Sequence, residues 1–315
     1  MIVLKPVDRV EVLSVMDNSI DVLMGNTPVA RRAQRARDSF SRPQLRAEHG
    51  VSMLVTTHEN GTKDSFLFDT GVTIDGVLHN MDALGVKPNE LHAIVLSHGH
   101  TDHTRGLIGL IKRYGRPRIP IVLHPDAFLK RKNVFPDGHE TEHIPPSHRD
   151  LEAEGVEIIE DRAPTMLVGG QVLVTGQIAR TTSFEKGNPT QVAWIDDKWQ
   201  PDPWIHDDQA VIINVKGKGL VVLTGCGHAG VVNTLKHARD LTGVSSIHAV
   251  IGGFHLTGPI FEPIIAPTIQ ALKEFSPSII VPEHCTGWRA THLIAQEFPN
   301  AFVPNSVGTR MVIGV

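Results

Sequence analysis

The chain has 315 residues and a hydrophobic content of 41%, which is enough apolar material for one large α/β domain or two small ones. Its formal net charge of −4 and its pI of about 6.5 do not indicate a nucleic-acid-binding protein, so no nucleic acid is expected as a general partner. The two cysteines, Cys226 and Cys285, exclude a disulfide framework, and we expect neither a secretory leader nor a membrane span. A cytoplasmic protein without a membrane partner is therefore predicted.

An apolar segment at 10–15 is predicted to form the first strand, which ends at Asp17-Asn18-Ser19. A loop insertion is predicted near 26–47, because this stretch is rich in arginine and contains Pro43. The arginines form either a solvated surface loop or an electropositive lid that attracts an anionic substrate. They are Arg31, Arg32, Arg35, Arg37, Arg42 and Arg46.

Two strands are predicted at 52–57 and 65–68, and Asn60-Gly61 between them is typical of a hairpin turn. His49 stands just before this hairpin. Taken alone, it is either a hydrogen-bonded structural histidine or a residue that contacts substrate. The second strand runs into Asp69-Thr70-Gly71, a turn whose aspartate or threonine can cap the helix that follows.

The densest group of potential metal ligands follows the apolar run 93–96. It reads His98-Gly99-His100-Thr101-Asp102-His103. His98 and His100 are two positions apart and point the same way in an extended backbone, whereas Asp102 and His103 diverge. Imidazole and carboxylate groups bind zinc, iron and other divalent metals. The segment therefore predicts two ligands for one metal and two for another.

The segment after this motif is predicted to contain a helix at 107–114 that ends near Gly115 and Pro117. A second loop insertion is predicted near 126–150, which is polar and irregular. We expect its histidines on the surface, where one of them could contact substrate. They are His139, His143 and His148.

Arg180 offers a planar guanidinium that can pair with a phosphate or carboxylate group of a substrate. The alternative, from the residues alone, is a salt bridge between Arg180 and Glu185.

Further candidate residues follow strands in the second half of the chain. The predicted strand 220–223 leads to Cys226 and His228, and the spacing allows either a thiolate or an imidazole ligand there. His255 follows two glycines and is either a substrate-side acid or a loop histidine bonded to the backbone. His284 follows the next strand, where a lone histidine is weak evidence for a metal site.

The pattern His98-x-His100-x-Asp102-His103 after an apolar strand resembles the signature loop of the metallo-β-lactamase superfamily. Further segments, such as Glu48-His49-Gly50, resemble one branch of that superfamily over nearly the whole chain. The branch contains poorly characterised metal-dependent hydrolases and an archaeal synthase that joins a dihydropterin to a ribofuranosyl-aminobenzene phosphate. The resemblance, with the strand and helix order, predicts an α/β fold, a four-layer αβ/βα sandwich, as one metallo-β-lactamase-like domain over 1–315.

The resemblance also implies a set of ligands. Asp69 is expected to support a ligand histidine or the backbone of the ligand loop. His206 is a reserve metal ligand, but His228 is expected to have taken over that role, with Cys226 packed beside it or ligating weakly. We predict two divalent metal ions, with zinc first and iron or manganese open. One ion is held by His98, His100 and His228, and the other by Asp102, His103 and His284.

Two adjacent cations predict a hydrolase in which a metal-bridged hydroxide attacks an ester-type bond of a phosphoester, a phosphodiester or a lactone. Asp102 would orient the hydroxide and His255 would act from the substrate side. Arg180 and His49 would contact a small, anionic substrate. The alternatives are the synthase reaction and a small-molecule binding module that has lost turnover. The sequence leaves the oligomeric state open.

Overall fold

The computed structural model describes residues 1–33, 38, 41, 43–87, 91–114 and 119–315, and their strands fall into three sheets. The strands are β1 (Arg9–Met16), β2 (Ala30–Arg31), β3 (Ser52–Glu59), β4 (Thr62–Phe68), β5 (Leu91–Val95), β6 (Ile121–Leu123), β7 (Arg131–Val134), β8 (Glu140–His143), β9 (Ile158–Glu160), β10 (Thr165–Leu167), β11 (Val172–Val174), β12 (Gln191–Ile195), β13 (Lys198–Pro201), β14 (Ala210–Val215), β15 (Gly219–Thr224), β16 (Ile247–Gly253), β17 (Ile279–Glu283) and β18 (Arg310–Gly314). The helices are α1 (Gly76–Leu84), α2 (Thr101–Thr104), α3 (Leu107–Tyr114), α4 (His148–Ala153), α5 (Val231–Thr242), α6 (Ile265–Phe275) and α7 (Trp288–Glu297).

Two large sheets and one small sheet organise these strands. The described strands of the first sheet run in the order β2-β18-β1-β3-β4-β5-β6-β9, and those of the second run β10-β11-β14-β15-β16-β17. The small sheet has the order β13-β12-β7-β8. Strands β4 and β5 are parallel in the first sheet, and β15, β16 and β17 are parallel in the second. Residues that follow these five strands are therefore delivered to the carboxyl edges of the two sheets.

The central strands are buried on both faces, which explains their continuous apolar runs. In β5, Ala93 and Val95 belong to the core between the two large sheets. Ile94 and Leu96 point the other way, into the core beneath the helices of the first sheet. The second sheet repeats the pattern, because Leu223 of β15 joins the central core while Leu220 and Val222 pack outward.

Helices cover the outer face of each large sheet. Val77 of α1 and Leu107 of α3 pack against the first sheet. Leu235 of α5, Ile269 of α6 and Ile294 of α7 pack against the second. Each such side chain contributes about 1.5–3 kcal/mol when it is fully buried. Helix, sheet, sheet and helix layers form the predicted four-layer αβ/βα sandwich. Within the described ranges, no helix is both long enough and apolar enough to cross a membrane.

The segment 126–150 differs from the irregular loop that was predicted. It contains the hairpin of β7 and β8, which pairs with β12 through Gln191 and Asn133, and the start of α4. Strands β7 and β12 are far apart in the sequence, so no local sequence pattern predicts that they pair. Helix α6 starts at Ile265, directly after a short 3₁₀ turn at Glu262–Ile264.

The arginines of the segment 26–47 are only partly covered by the described residues, because Arg35, Arg37 and Arg42 lie outside them. Arg32 donates to the Pro304 carbonyl at 3.0 Å and to the Thr309 hydroxyl at 2.8 Å. Arg31 donates to the Thr27 carbonyl at 2.5 Å, and Arg46 pairs with Asp75 at 2.9 Å. Arg32 therefore anchors the segment to the C-terminal part of the chain and does not extend over the site as a lid.

Candidate metal centre

The candidate ligands lie where the two large sheets present the carboxyl ends of their parallel strands. Asp69 follows β4, and the motif from His98 to His103 follows β5. In the second sheet, His228 follows β15, His255 follows β16 and His284 follows β17. The fold thus brings residues from both halves of the chain to one place.

His98, His100 and His228 form a buried three-histidine cluster, in which one ligand atom from each lies within 4.8 Å of the others. Nε2 of His228 is 3.2 Å from Nδ1 of His100. Burial lowers the pKa of all three imidazoles well below the ordinary value of 6.5, because a charged ring loses its hydration there. The three rings are therefore neutral and carry lone pairs, as metal ligands must.

The three-histidine cluster also leaves polar atoms without partners. Nε2 of His98 and Nε2 of His100 are buried and accept no hydrogen bond from any described residue. Ser97 orients the ring of His98. Its hydroxyl donates to Asp69 at 2.7 Å and lies 2.9 Å from Nδ1 of His98. A buried polar atom without a partner costs about 1–3 kcal/mol. A bound cation would satisfy these nitrogens, so the cluster fits a metal ion.

Asp102, His103, Cys226 and His284 form a second cluster with ligand atoms within 4.8 Å of one another. Oδ2 of Asp102 is 3.2 Å from Nε2 of His284, and Nε2 of His103 is 3.1 Å from Sγ of Cys226. Burial disfavours a charged His103, but the carboxylates of Asp102 and Asp69 outweigh it and raise the pKa of His103 to about 9. The two carboxylates thus favour a positive charge at this cluster. A bound cation would supply that charge in place of the proton on His103.

Asp69 contacts both this cluster and the backbone of the ligand loop, and its supporting role at a metal centre stays a prediction. Its Oδ2 is 2.7 Å from Nδ1 of His103, and its Oδ1 accepts the Ser97 N–H at 2.7 Å. The first contact places the proton of the neutral ring on Nδ1 and turns Nε2 toward the cluster. Asp69 itself has a φ of 62°, a strained value for a residue with a side chain.

Asp17 and Asn18 hold His284. The sequence predicts these two residues only as the end of the first strand. Oδ1 of Asn18 is 3.0 Å from Nδ1 of His284, and Oδ1 of Asp17 accepts the His284 N–H at 3.0 Å. His284 has a φ of 49°, so these contacts stabilise a strained backbone. The sequence gives no signal for them beyond two polar residues after a strand.

Two further acids that the sequence analysis missed support the ligand loops. Oδ2 of Asp207 accepts the Gly99 N–H at 2.7 Å, and Oδ2 of Asp208 accepts the Ala229 N–H at 2.7 Å. Asp207 is completely buried and pairs with the buried Arg131 at 2.7 Å. Asp207 and Asp208 directly follow His206, which was predicted as a reserve metal ligand.

His206, the reserve metal ligand, lies in none of the candidate metal clusters of the described residues. Its Nδ1 is 3.2 Å from Nε2 of Gln177 instead. The neighbouring acids accept N–H groups of the ligand loops, whereas His206 contacts Gln177, so the structure does not support the reserve assignment. His228 occupies the three-histidine cluster in its place.

Arg180 does not have the free guanidinium predicted for a substrate clamp. It donates to the carbonyl of His228 at 2.8 Å and to the carbonyls of Trp204 and Ile205. The predicted alternative, a salt bridge to Glu185, is also wrong. The Glu185 carboxylate instead accepts two N–H groups at the start of α5, both at 2.8 Å. Arg180 therefore holds the loop that carries His228, because its two terminal nitrogens donate to three backbone carbonyls.

His255 and Cys226 meet the three-histidine cluster from the side of the second sheet. Cys226, His228 and His255 form a third group whose ligand atoms lie within 4.8 Å of one another. The ring of His255 is 4.1 Å from that of His228, and its Nδ1 is buried without a hydrogen-bond partner among the described residues. Its φ of 47° is strained. The structure thus brings His255 to the centre, and its role stays a prediction.

His49 lies at the rim of the second cluster. Its ring is 4.5 Å from that of His284, and its Nε2 is 3.7 Å from Oδ2 of Asp102. The side chain is 67% exposed, and Nδ1 is 3.2 Å from Nδ2 of Asn18. His49 is therefore both hydrogen-bonded and open to a bound molecule, and its role as a substrate contact stays a prediction.

A cavity of about 220 Å³ adjoins the centre beside His228 and His255. Apolar side chains supply much of its wall, and Lys186 stands at its rim. The lining residues are Phe184, Glu185, Lys186, Gly187, Pro189, Gly227, His228, Gly230, Phe254, His255, Ile260, Phe261 and Ile264. The cavity connects the candidate metal ligands with a surface that can receive an organic group.

Comparison with known proteins agrees with this architecture. The chain matches the metallo-beta-lactamase superfamily over residues 45–241. It is 32% identical over 259 residues to the 7,8-dihydropterin-6-methyl-4-(beta-D-ribofuranosyl)-aminobenzene-5'-phosphate synthase of Methanocaldococcus jannaschii, covering 81% of this chain and 87% of that protein. An uncharacterized protein of the same archaeon is 28% identical over 285 residues, or 88% of this chain and 98% of the other.

A solved structure has a similar fold. It is described as a metal-dependent hydrolase of the beta-lactamase superfamily and superimposes with a TM-score of 0.73 over 97% of this chain and 100% of the other. At 23% identity, this likeness shows the fold alone. The superfamily match covers more than half of the chain and contains the motif from His98 to His103. This chain therefore belongs to the metallo-β-lactamase superfamily.

Proposed function

We propose that the protein is a metal-dependent hydrolase of a small, anionic ester, with phosphoesters and phosphodiesters as the first substrate class and lactones as the second. The observation that carries this proposal is the contact between the two donor clusters. The rings of His98 and His103, one from each cluster, are 4.3 Å apart. Cations held in both clusters would therefore act on the same substrate.

The three-histidine cluster would hold the first cation, and Asp102, His103 and His284 would hold the second. Cys226 lies within the second cluster and would pack beside the cation or ligate it weakly. Imidazole and carboxylate donors suit zinc first, and they also bind iron and manganese. When bound, two adjacent divalent cations lower the pKa of a water molecule and polarise an oxygen of the substrate.

Asp102 and His255 would act on the reacting groups themselves. The Asp102 carboxylate lies 3.2 Å from His284 and 3.6 Å from His103, so its position is fixed on two sides. It would accept a hydrogen bond from the attacking water and orient it. His255 lies beyond His228, next to the cavity, where its imidazole would donate a hydrogen bond to the departing group.

The cavity suggests what the substrate carries. Its volume of about 220 Å³ is below the range of about 300–1,000 Å³ typical for a drug-sized ligand, so it would receive one ring or short acyl portion of a substrate. Phe184 and Phe261 offer apolar walls. Lys186 is exposed at the rim and has no ion pair with any described residue, which favours an anionic group nearby.

A second candidate is the synthase reaction of the archaeal relative, which joins a dihydropterin to a ribofuranosyl-aminobenzene phosphate. Two observations favour it: the identity extends over most of both chains, and the phenylalanine side chains of the cavity would stack on a planar ring. The same donor clusters would then assist bond formation between the two substrates.

Turnover by zinc-loaded protein tests both candidates. The panel contains an ester, a phosphoester, a phosphodiester and a lactone, beside a dihydropterin mixed with a ribofuranosyl-aminobenzene phosphate. We expect hydrolysis of an anionic ester and its loss in His100→Ala. His92→Ala is the matched control, because His92 lies on β5 with a side chain 55% exposed and outside the centre. An active His100→Ala protein contradicts the site, and turnover of the pterin pair alone selects the synthase.

A further inference from the structure

The β7–β8 hairpin brings one more histidine, His143, to the three-histidine cluster. Its ring stacks on that of His100, with centroids 3.9 Å apart and planes inclined by 13°. One of its ring nitrogens belongs to a group with His100 and Asp102 in which the ligand atoms lie within 4.8 Å of one another. The side chain is only partly buried. A surface position was predicted for His143, but the hairpin places it at the mouth of the centre.

Two contacts fix the hairpin relative to the ligand loop. The N–H of Ile144, directly after His143, donates to the Thr101 hydroxyl at 2.6 Å. Arg131 lies opposite His143 in the register of β7 and β8. Its guanidinium pairs with Asp207, the acid that also holds the Gly99 N–H of the ligand loop. The ring of His143 is therefore positioned by the loop that carries His98 and His100, and not by a free hairpin tip.

A chain of hydrogen bonds determines which nitrogen of His143 carries the proton. It starts at the Thr190 N–H, which can only donate and lies 3.1 Å from Oδ1 of Asn188. That contact identifies which side-chain atom of Asn188 is the amide oxygen. The other atom, Nδ2, therefore donates to Oδ1 of Asn133 at 3.0 Å. Nδ2 of Asn133 is consequently the atom 3.0 Å from Nε2 of His143. An amide nitrogen only donates, so Nε2 of His143 accepts.

The consequence is a defined tautomer. With Nε2 as the acceptor, the neutral ring of His143 carries its proton on Nδ1. A metal ligand needs a lone pair on the nitrogen that faces the metal, and His143 has already used its lone pair on Asn133. Nδ1 has no hydrogen-bond partner among the described residues, so its N–H is free to donate to a bound molecule.

We infer that His143 is a substrate-binding residue whose Nδ1–H donates to an anionic oxygen, of a phosphate or carboxylate group, on the substrate. Asn133 and Asn188 are positioning residues that set its tautomer. The inference rests on the proposed function in one respect, namely that an anionic substrate is bound at this centre. It adds a contact from the small sheet, which supplies none of the predicted ligands.

The tautomer is tested by nuclear magnetic resonance on zinc-loaded protein labelled with ¹⁵N-histidine. The His143 signals are assigned by their loss in His143→Phe, whose ring retains the stacking surface for His100. We expect the Nδ1–H tautomer in the wild-type protein and a protonated Nε2 in Asn133→Asp, because a carboxylate can only accept. Glu142→Gln, an exposed change next to His143, is the control and keeps the wild-type signal. A wild-type Nε2–H tautomer, or an unchanged tautomer in Asn133→Asp, overturns the inference.

Binding of inorganic phosphate tests the donor. Phosphate should bind at least about tenfold more weakly to zinc-loaded His143→Phe and Asn133→Asp than to wild type, whereas Glu142→Gln should bind normally. The zinc content should stay unchanged in all three variants. Loss of a zinc ion from His143→Phe would show that His143 is a zinc ligand. Wild-type phosphate affinity in that variant would show that His143 does not donate to the phosphate. Either result overturns the inference. If His143→Phe does not fold, the histidine signal that changes in Asn133→Asp but not in Glu142→Gln identifies His143, and Asn133→Asp supplies both readouts.

Neither measurement depends on turnover, so the inference and the proposed function can fail separately. The expected tautomer and phosphate results, without hydrolysis of any ester in the panel, support the donor and reject the hydrolase. If the wild-type protein hydrolyses an ester and His143→Phe binds phosphate as well as wild type does, the donor role is rejected and the hydrolase is supported.

Discussion

Replacing Arg131 by methionine should strongly destabilise the protein, because the change leaves two buried carboxylates without their cation. Arg131 is the first residue of β7 in the small sheet and is only 2% exposed. Its Nε is 2.7 Å from Asp202, and its Nη2 is 2.7 Å from Asp207, which is completely buried. Methionine keeps much of the apolar stem but offers no charge and no hydrogen-bond donor.

The expected loss follows from the burial of this pair. Removal of one partner from a buried ion pair costs about 3–5 kcal/mol, against a total of about 5–15 kcal/mol for a folded domain. The pair between Arg113 and Asp82 is the matched control. Its atoms are 2.9 Å apart, but its side chains are 54% and 50% exposed. Arg113→Met should therefore cost less than about 1 kcal/mol.

Urea unfolding of the zinc-loaded proteins measures both free energies of unfolding. A loss in Arg131→Met of less than about 1 kcal/mol, or one equal to that of Arg113→Met, would refute the assignment of Arg131 as the buried anchor of the small sheet. Addition of Asp207→Asn to Arg131→Met should recover part of the loss, since it removes one of the uncompensated charges.

The supporting residues of the centre give three further predictions. Asp69→Asn should weaken zinc binding about 10–100-fold, measured by competition with a chelator, because the carboxylate holds a ligand histidine at 2.7 Å; an unchanged affinity would reject this role. Asn18→Leu should weaken only the second zinc ion, since its Oδ1 contacts His284 at 3.0 Å, and equal weakening of both ions would argue against separate clusters. Glu185→Gln should lower the free energy of unfolding by about 1–2 kcal/mol through loss of the charged acceptor at the start of α5, while the exposed Glu274→Gln should change it little.

The sequence predicted the fold well where the information is local, and it singled out residues that the structure brings together in the donor clusters. The motif from His98 to His103 places its donors within six positions, and strand geometry alone separates them into two sets. The apolar runs before His228 and His284 mark strands, and both residues stand where those strands end. A residue at the carboxyl end of a parallel strand reaches the same edge as its counterparts, so such candidates can be recognised without a structure.

The contacts that support the centre could not be predicted, because they join distant parts of the chain. Asn18 reaches His284 across 266 positions. His143 reaches His100 only because β7 pairs with β12, a strand about 60 positions further on. Arg180 illustrates the opposite error. Its side chain suits an anionic substrate, but in the fold its two terminal nitrogens donate to three backbone carbonyls.

The metal content of the purified protein tests the central claim most directly. Elemental analysis after zinc addition and removal of free zinc should find about two zinc ions per chain, one for each donor cluster. His98→Ala and His284→Ala should each retain about one, because each removes a ligand from only one cluster. A wild-type protein that binds no transition metal as purified and gains none on addition would contradict the account.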